Sequence, residues 1–367
     1  MTTQLLVTST PAERVLAAAA TQAGLLGDPD RQVTVSTRAD VDVVAARTGS
    51  DEDVQLVVGS STLAAGRELT RHFGDASVTL LAAGASAYGP TSGALQGRLA
   101  KRVREVLHVD LVPGLDPVLL SERSVPARAV PPEGFRAAAR SLPGPTPVPD
   151  PTTLVLGRSA PWAGALDRDA QTALLVAMLE RSSEAGHSRI VLLLDPDTPP
   201  RTRRQLDRAA RAARADLTVD TGAEPVEAWL ALDGVGLVVG SATEDLLLAR
   251  RVFGRRVAQL DTEVVVKNLE PFDDPRRTAA TLVAATVPDL RSWTSSPGGE
   301  DVAPLDLTGL MGTVAYAMQP GLLNGRRTAA IGFLEAHPEV QRRFVRRRRL
   351  SELRLPGGKR KVRTSLG

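Results

Sequence analysis

Residues 237–254 read Leu-Val-Val-Gly-Ser-Ala-Thr-Glu-Asp-Leu-Leu-Leu-Ala-Arg-Arg-Val-Phe-Gly, the pattern of a strand, a tight turn and a helix. The apolar run predicts the strand, Gly240 permits a sharp turn, and Ser241 or Thr243 can cap the helix. Backbone amides and the positive end of the helix dipole meet at such a turn. We therefore predict a phosphate-binding site at Gly240, Ser241 and Thr243, with a plain helix cap as the alternative interpretation.

The same pattern occurs earlier in the chain, at residues 56–74, which read Leu-Val-Val-Gly-Ser-Ser-Thr and end in Phe-Gly. Two similar strand–turn–helix units in two halves of a chain are typical of a pair of Rossmann-like domains. In such folds ligands bind outside the carboxyl ends of the strands. The expected fold class is therefore α/β, with two parallel sheets that face each other across a cleft.

Composition excludes several classes of protein. The 367 residues contain no cysteine, so disulfides and thiolate metal sites are ruled out. Aromatic residues make up only 3%, which argues against stacking on single-stranded nucleic acid, and no nucleic-acid partner is expected. The first ten residues lack the pattern of a signal peptide, and no apolar run approaches the ~20 residues of a membrane span. The expected location is the cytoplasm.

The distribution of proline and arginine predicts the domain organisation. We expect an N-terminal Rossmann-like domain at residues 1–124, a Pro-rich linker at 125–151, a second Rossmann-like domain at 152–300, and a helical segment with an Arg-rich tail at 301–367. Within the first domain, residues 97–108 have the spacing of an amphipathic helix with a basic face.

The tail at residues 338–363 mixes arginines with Phe344, Val345 and Leu350. This mixture predicts a peripheral anchor on the anionic inner face of the membrane. The rival interpretation is a solvated or RNA-binding arm.

Several short stretches resemble the actinobacterial branch of the polysialyltransferase family, whose members move sialic acid from CMP-sialic acid onto a growing glycan. They are Ala-Tyr-Gly-Pro-Thr at 87–91, Leu-His-Val-Asp-Leu-Val-Pro-Gly-Leu at 107–115, Leu-Leu-Ser-Glu at 119–122, the 237–254 unit, Thr-Glu at 262–263 and Leu-Glu-Pro-Phe at 269–272. The resemblance spans most of residues 4–290. It implies a GT-B pair of domains, an acceptor-side first domain and a donor-binding second domain. It also implies a nucleotide sugar and a glycan acceptor as partners, and no cofactor beyond the CMP-linked donor.

The resemblance also implies two catalytic groups, a carboxylate base before the Tyr-Gly-Pro-Thr loop and a histidine after the second strand of the donor domain. This sequence has Ala83 and Asp195 at those positions. Alanine cannot accept a proton, and an aspartate repels a departing phosphate. Asp197 is the candidate substitute base. His108 lies in a matched motif, but a helix-end histidine is the favoured interpretation.

No metal site is expected. Asp195-Pro196-Asp197 is an Asp-x-Asp triplet after an apolar run, but a CMP-linked donor has one phosphate and does not require Mg²⁺.

Three functions remain open from the sequence. The first is a polysialyltransferase-like protein of capsule or cell-surface glycan synthesis, whose own catalysis the two altered positions put in question. The second is a non-catalytic binding or scaffolding partner of an active glycosyltransferase. The third is an unrelated nucleotide-binding α/β protein, for which the two Gly-Ser turns are the evidence.

Overall fold

The computed structural model describes residues 3–35, 54–95, 97–222, 224–293 and 305–359. The chain divides into two compact units. Unit 1 comprises residues 1–151, 222–236 and 247–256, and unit 2 comprises residues 152–221, 237–246 and 257–367.

Unit 1 is built on a six-stranded sheet in the order β2-β1-β3-β4-β5-β6, in which every neighbouring pair is parallel. Its strands are β1 (Thr3–Val7), β2 (Gln32–Val35), β3 (Val54–Gly59), β4 (Ser77–Ala82), β5 (Val103–Val109) and β6 (Ala127–Val130). Its helices are α1 (Pro11–Gln22), α2 (Leu63–His72), α3 (Arg98–Arg102) and α4 (Pro132–Arg140). The central strands are buried on both faces, which explains their continuous apolar runs.

The predicted helix at residues 97–108 is wrong. Only the five residues of α3 are helical, and the rest forms β5. Leu99, Val103 and Val106 fit a helical spacing, but Val103, Val106 and Val109 are β-branched and favour a strand. Pairing with β4, in which Leu81 lies opposite Leu107, buries these side chains in the sheet and decides the conformation.

The segment predicted as a Pro-rich linker contains regular structure in its first half. Strand β6 completes the first sheet, and α4 packs against α1. The prolines begin elements here: Pro126 precedes β6, and Pro132 is the first residue of α4, where its missing N–H costs nothing. The limits of the domains and linker otherwise stay a prediction.

The second sheet has five strands in the order β11-β10-β7-β8-β9. They are β7 (Thr152–Leu156), β8 (Arg189–Leu193), β9 (Asp216–Asp220), β10 (Val235–Gly240) and β11 (Arg256–Gln259). The helices that connect and follow them are α5 (Arg168–Glu184), α6 (Pro200–Ala212), α7 (Val226–Leu230), α8 (Asp245–Arg251), α9 (Thr262–Asn268) and α10 (Arg276–Thr286). Two Rossmann-like units of this kind confirm the predicted α/β, GT-B-like fold class.

The C-terminal segment is helical, with α11 (Leu307–Met318), α12 (Arg327–Ala336), α13 (Pro338–Arg343) and α14 (Arg347–Leu353). The apolar residues that were assigned to the membrane are buried within unit 2: Phe344 is 2% exposed, Val345 1% and Leu350 1%. Arg343 donates to Glu263 and Arg346 pairs with Glu270, so the tail folds back on its own unit.

The prediction that these three apolar side chains take part in a membrane anchor is therefore wrong, because they are buried in the core of unit 2. Residues 360–367 of the tail lie outside the described residues. In the described part of the chain, no helix has the length and apolarity to span a membrane.

Candidate functional site

The Gly-Ser turn of unit 1 contains a buried carboxylate of the chain itself. Glu13, in the first turn of α1, is 2% exposed. Its Oε1 accepts from the Ser61 amide at 2.8 Å, and Ser61 Oγ lies 2.7 Å from both of its oxygens. Its Oε2 accepts from the amides of Ser9 at 3.1 Å and Thr10 at 3.4 Å. Two loops thus direct their donors onto one internal anion.

Gly59, the last residue of β3, makes room for this carboxylate. A Cβ atom at Gly59 would lie 2.3 Å from the Glu13 carboxyl carbon. The donors of this turn therefore surround an anion of the chain itself, the Glu13 carboxylate.

The stretches that carry the family resemblance are hydrogen-bonded to one another in unit 1. Tyr88 is fully buried, and its hydroxyl accepts from the amides of Leu111 at 3.0 Å and Val112 at 3.3 Å. Thr91 Oγ1 accepts from the Leu120 amide at 2.9 Å and donates to Glu122 at 3.1 Å. Burial is the main cause that raises the pKa of Tyr88 to about 12. These motif residues act as a scaffold that joins the loops after β4 and β5.

Two other sequence candidates lie near this scaffold. Ala83 follows β4 and is 7% exposed, with no group that could take a proton. His108 lies on β5 and not at a helix end, which corrects the sequence interpretation. Its ring is buried 6.2 Å from the Tyr88 ring, and burial lowers its pKa. Its Nδ1 lies 3.1 Å from the Val109 carbonyl oxygen, an arrangement satisfied by an Nδ1–H donor.

The Gly240 turn of unit 2 is held by hydrogen bonds within the chain. Ala242 has φ +55°, and its amide donates to Thr262 Oγ1 at 3.1 Å. Thr243 Oγ1 donates to Asp245 at 2.7 Å. Ser241 is fully buried, and its hydroxyl has no partner among the described residues. The predicted donors at this turn are therefore buried or already occupied by the chain.

Asp245 is the first residue of α8, which follows this turn in the chain. Burial raises the pKa of its carboxyl, while the hydrogen bond from Thr243 and the charge of Arg158 oppose that change. A carboxyl group thus lies beside the turn at which the sequence predicts a phosphate site.

The end of β8 brings Asp195 and Asp197 together at one cavity of about 400 Å³. Asp195 Oδ2 accepts from the Ser159 amide, at the end of β7, over 2.8 Å. Asp197 is exposed. The cavity lies between the first turns of α5 and α6, and its other polar lining residues include Arg168, Gln171, Thr172, Arg201 and Gln205. Gly240, Ser241 and Thr243 are not among its lining residues.

Gly157 lines this cavity. A Cβ atom there would lie 2.8 Å from the Leu193 carbonyl oxygen, so no larger residue fits. Within the described ranges, no three His, Asp or Glu side chains come together as ligands for a metal ion.

Sequence reasoning missed the internal anions. Glu13 carried a signal, because Thr10-Pro11-Ala12-Glu13 is a capping-box pattern and Thr10 Oγ1 does accept from the Glu13 amide. The burial of Asp245 had no comparable signal. Arg277 was also missed: it is fully buried and donates to the carbonyl oxygens of Phe272, Val266 and Leu269.

Comparisons with known proteins give no family. No family model matches the chain, and no curated protein matches it. Among solved structures, a glycosyltransferase from Rickettsia africae is 11% identical with a TM-score of 0.40, covering 93% of this chain and 98% of that chain. A UDP-forming α,α-trehalose-phosphate synthase from Burkholderia vietnamiensis is 11% identical with a TM-score of 0.41, covering 94% and 100%.

A UDP-N-acetylglucosamine 2-epimerase from Rickettsia bellii is similar to the same degree, at 10% identity and a TM-score of 0.41, covering 92% of this chain and 98% of that chain. Transferases and an epimerase thus resemble the chain equally. Likenesses at this level assign no reaction, and the function has to be argued from the residues of the site.

Proposed function

We propose that this chain is a polysialyltransferase-like, non-catalytic protein of cell-surface glycan synthesis, which binds a nucleotide sugar or glycan and assists an active glycosyltransferase. The observation that carries the proposal is the hydrogen bond between Asp195 and the Ser159 amide. At the position where the resemblance implies a histidine that assists the departing phosphate, a carboxylate accepts a backbone donor.

Two further contacts support the same conclusion. Glu13 takes up the donors of the first Gly-Ser turn, and Asp245 lies against the second. Because like charges repel, a phosphate that approached the Glu13 carboxylate would meet about 1 kcal/mol or more of repulsion at partly screened distances. Asp245 occupies the Thr243 hydroxyl, which a phosphate would otherwise use. Ala83 adds no base. Neither position at which the resemblance implies a proton-handling group therefore has the implied residue.

The test is a transfer assay with purified protein, CMP-sialic acid and an oligosialic acceptor, together with calorimetry with CMP. We expect weak or absent CMP binding and no transfer above the level without protein. General acid and base catalysis contribute about 10² to 10⁴ each, so Ala83→Asp with Asp195→His should raise any residual transfer. Turnover by the unmodified protein at the rate of an ordinary enzyme contradicts the proposal.

An active transferase with a relocated base is the second candidate, and one observation favours it. Asp197 is exposed and lines the same cavity as Asp195, so it could reach an acceptor hydroxyl. In this case Asp197→Asn abolishes transfer, while the paired change at Ala83 and Asp195 has no effect. Asp207→Asn, at an exposed position on α6, is the matched control.

Peripheral contact with a membrane is also part of the proposal, but it now rests on charge alone. Arg342, Arg347 and Arg348 are exposed in the folded tail, and each cation near an anionic leaflet contributes about 1 kcal/mol. We expect co-sedimentation with anionic vesicles that weakens when these three residues are changed to glutamine. Binding that is unchanged by these substitutions contradicts this part of the proposal.

A further inference from the structure

The cavity at the end of β8 contains hydrogen-bonding groups of both kinds that the chain leaves unused. It lies wholly within unit 2 and has a volume of about 400 Å³. The carboxylates of Asp169 and Asp197 are acceptors, and the guanidinium groups of Arg168 and Arg201 are donors. All four residues are exposed, and none of their side chains has a hydrogen-bond or ion-pair partner among the described residues. A ligand in the cavity can therefore use them.

Three further lining residues keep part of their hydrogen-bonding capacity. Asp195 Oδ2 accepts from the Ser159 amide, and its Oδ1 stays available. Gln171 Nε2 donates to the Leu166 carbonyl oxygen at 2.9 Å, so its Oε1 remains an acceptor. The side-chain amide of Gln205 has no partner within the described ranges and can both donate and accept. The lining thus combines donors and acceptors, in charged and in neutral groups.

The lining also has an apolar part. Leu175 and Trp162 belong to it, and they are 5% and 1% exposed. The indole Nε1 of Trp162 is buried and has no hydrogen-bond partner in the described part of the chain, so it is one more donor that the chain does not use. Apolar side chains beside a few polar groups are the usual composition of a small-molecule pocket.

The charges of the lining nearly cancel. The carboxylates of Asp169, Asp195 and Asp197 repel an anion. The guanidinium groups of Arg168 and Arg201 repel a cation. A hydroxyl group is uncharged, and it both donates and accepts. A ligand with several hydroxyl groups can therefore bond to carboxylates, amides and guanidinium groups at the same time.

We propose that the cavity at the end of β8 binds an uncharged sugar of one or two rings. The inference rests on the proposed glycan-binding role and names the class of glycan. Its own basis is the match between a sugar ring, which has polar edges and C–H faces, and a lining of unused donors, unused acceptors and apolar side chains. A volume of about 400 Å³ lies at the lower end of the range for ligand pockets, about 300 to 1,000 Å³, so the occupant is small.

The experiment titrates the full chain with glucose, galactose, N-acetylglucosamine and maltose, which are uncharged. Glucosamine and glucuronate are titrated in parallel, because they keep the ring and add a positive or a negative charge. Binding is followed by calorimetry and by tryptophan fluorescence. Trp162 lines the cavity and Trp229, on α7, does not, so Trp162→Phe should remove the fluorescence change and Trp229→Phe should keep it.

The site variant combines Asp169→Asn with Asp197→Asn, both at exposed positions. The control combines Asp207→Asn with Asp216→Asn, which are also exposed, so it alters the net charge equally and leaves the lining intact. If Trp162→Phe does not fold, hydrogen exchange of the unmodified protein locates the sugar through protection of peptides from residues 157–172 and 195–205.

We expect at least one uncharged sugar to bind with a Kd of about 1 mM, an ordinary value for so small a ligand. Its affinity should exceed that of glucosamine and of glucuronate, and it should not change with salt, because the ligand has no charge to be screened. The site variant should bind the uncharged sugar about 10-fold more weakly, because two carboxylates no longer accept from its hydroxyl groups. The same variant should weaken glucuronate less, because two repelling charges are removed. The control should change neither affinity.

Four outcomes overturn the inference: no uncharged sugar binds at about 10 mM, glucosamine or glucuronate binds more tightly than every uncharged sugar, the site and control variants change the affinity equally, or the sugar protects peptides outside the cavity lining. The proposed function fails separately. Transfer from CMP-sialic acid by the unmodified protein, with sugar binding at the cavity intact, would contradict the non-catalytic role and leave this site standing.

Discussion

Replacing Glu13 by alanine should destabilise unit 1 far more than the loss of an ordinary helix-capping residue. The carboxylate accepts two short bonds from Ser61 and two longer ones from Ser9 and Thr10, and it is 2% exposed. Hydrogen bonds to a charged group contribute about 1.5 to 3 kcal/mol each, and the two short bonds together contribute about 3 to 6 kcal/mol. Because Ser9 and Ser61 are exposed, water replaces part of the lost hydrogen bonding, and we expect a loss of about 3 kcal/mol in the free energy of unfolding.

Unfolding in urea is monitored by the hydrogen exchange of peptides from α1 and β3. These peptides report on unit 1, which is needed because a chain with two units does not have to unfold in a single transition. Glu133→Ala is the matched control, because Glu133 lies in the first turn of α4 and is exposed. It should cost no more than about 0.5 kcal/mol. Formate should then stabilise the Glu13→Ala protein, because a small carboxylate can occupy the emptied turn.

Two results would refute this reasoning. One is a Glu13→Ala protein that loses no more stability than Glu133→Ala. The other is a large loss that formate does not reduce while the protein stays folded, because it would mean that the turn does not bind an anion.

Three further predictions concern buried groups of the two units. Tyr88→Phe should cost about 2 kcal/mol, because two buried amides lose their acceptor. Because the pKa of Tyr88 is raised to about 12, the contribution of its neutral hydroxyl to stability is complete below the ordinary pKa near 10 and is lost as the pH rises through 12. Ultraviolet titration should detect a tyrosine that ionises at high pH, and Tyr88→Phe should remove this signal. Arg277→Lys should cost about 2 to 4 kcal/mol of stability in thermal or urea unfolding, because three carbonyl oxygens accept from its guanidinium and an ammonium cannot reach all of them in the same geometry. A loss below about 0.5 kcal/mol would contradict a structural role for these three hydrogen bonds. Ala242→Gly should leave stability unchanged or raise it by up to about 1 kcal/mol, because Ala242 has φ +55°. Gly157→Ala should lower stability by about 1 to 3 kcal/mol, because the new Cβ would contact the Leu193 carbonyl. If urea unfolding shows the opposite order of stability for these two variants, the geometry of both turns is contradicted.

The fold was predictable because strand and turn signals were strong and local. Residues 56–59 and 237–240 share an apolar run that ends in glycine, and both end buried strands of their sheets. The error at residues 97–108 came from a stretch whose apolar positions fit both periods. Only pairing with β4, a contact distant in sequence, decided for the strand.

The candidate site was less predictable, because what a turn binds depends on side chains far along the chain. Ser61 and Glu13 are 48 residues apart, and Asp195 and Ser159 are 36 apart. The sequence predicts that amides gather at the Gly240 turn, and this stays a prediction. It could not indicate that carboxylates of the same chain would accept their hydrogen bonds.

The tail illustrates the same limit from the opposite direction. A run of arginines with Phe344, Val345 and Leu350 has the composition of a membrane anchor, yet those three side chains complete the core of unit 2. Arginines that surround a buried apolar residue can pair with acids of their own unit, as Arg343 does with Glu263. Composition alone cannot distinguish the two cases, since burial against the chain and burial in lipid remove the same apolar surface from water.

Internal carboxylates satisfy backbone donors at strand ends in both units. A turn of this kind presents a cluster of amide donors, and these would be costly to bury without an acceptor. An aspartate or glutamate within reach satisfies them permanently, so the fold stays stable when no substrate anion is bound. Glu13 in unit 1 and Asp195 in unit 2 both do this, at different strand ends. A turn whose donors already bond to a carboxylate of the chain is stable without a ligand, and a phosphate would have to displace that carboxylate. This physical argument supports the non-catalytic role that we propose, and the transfer assay tests it.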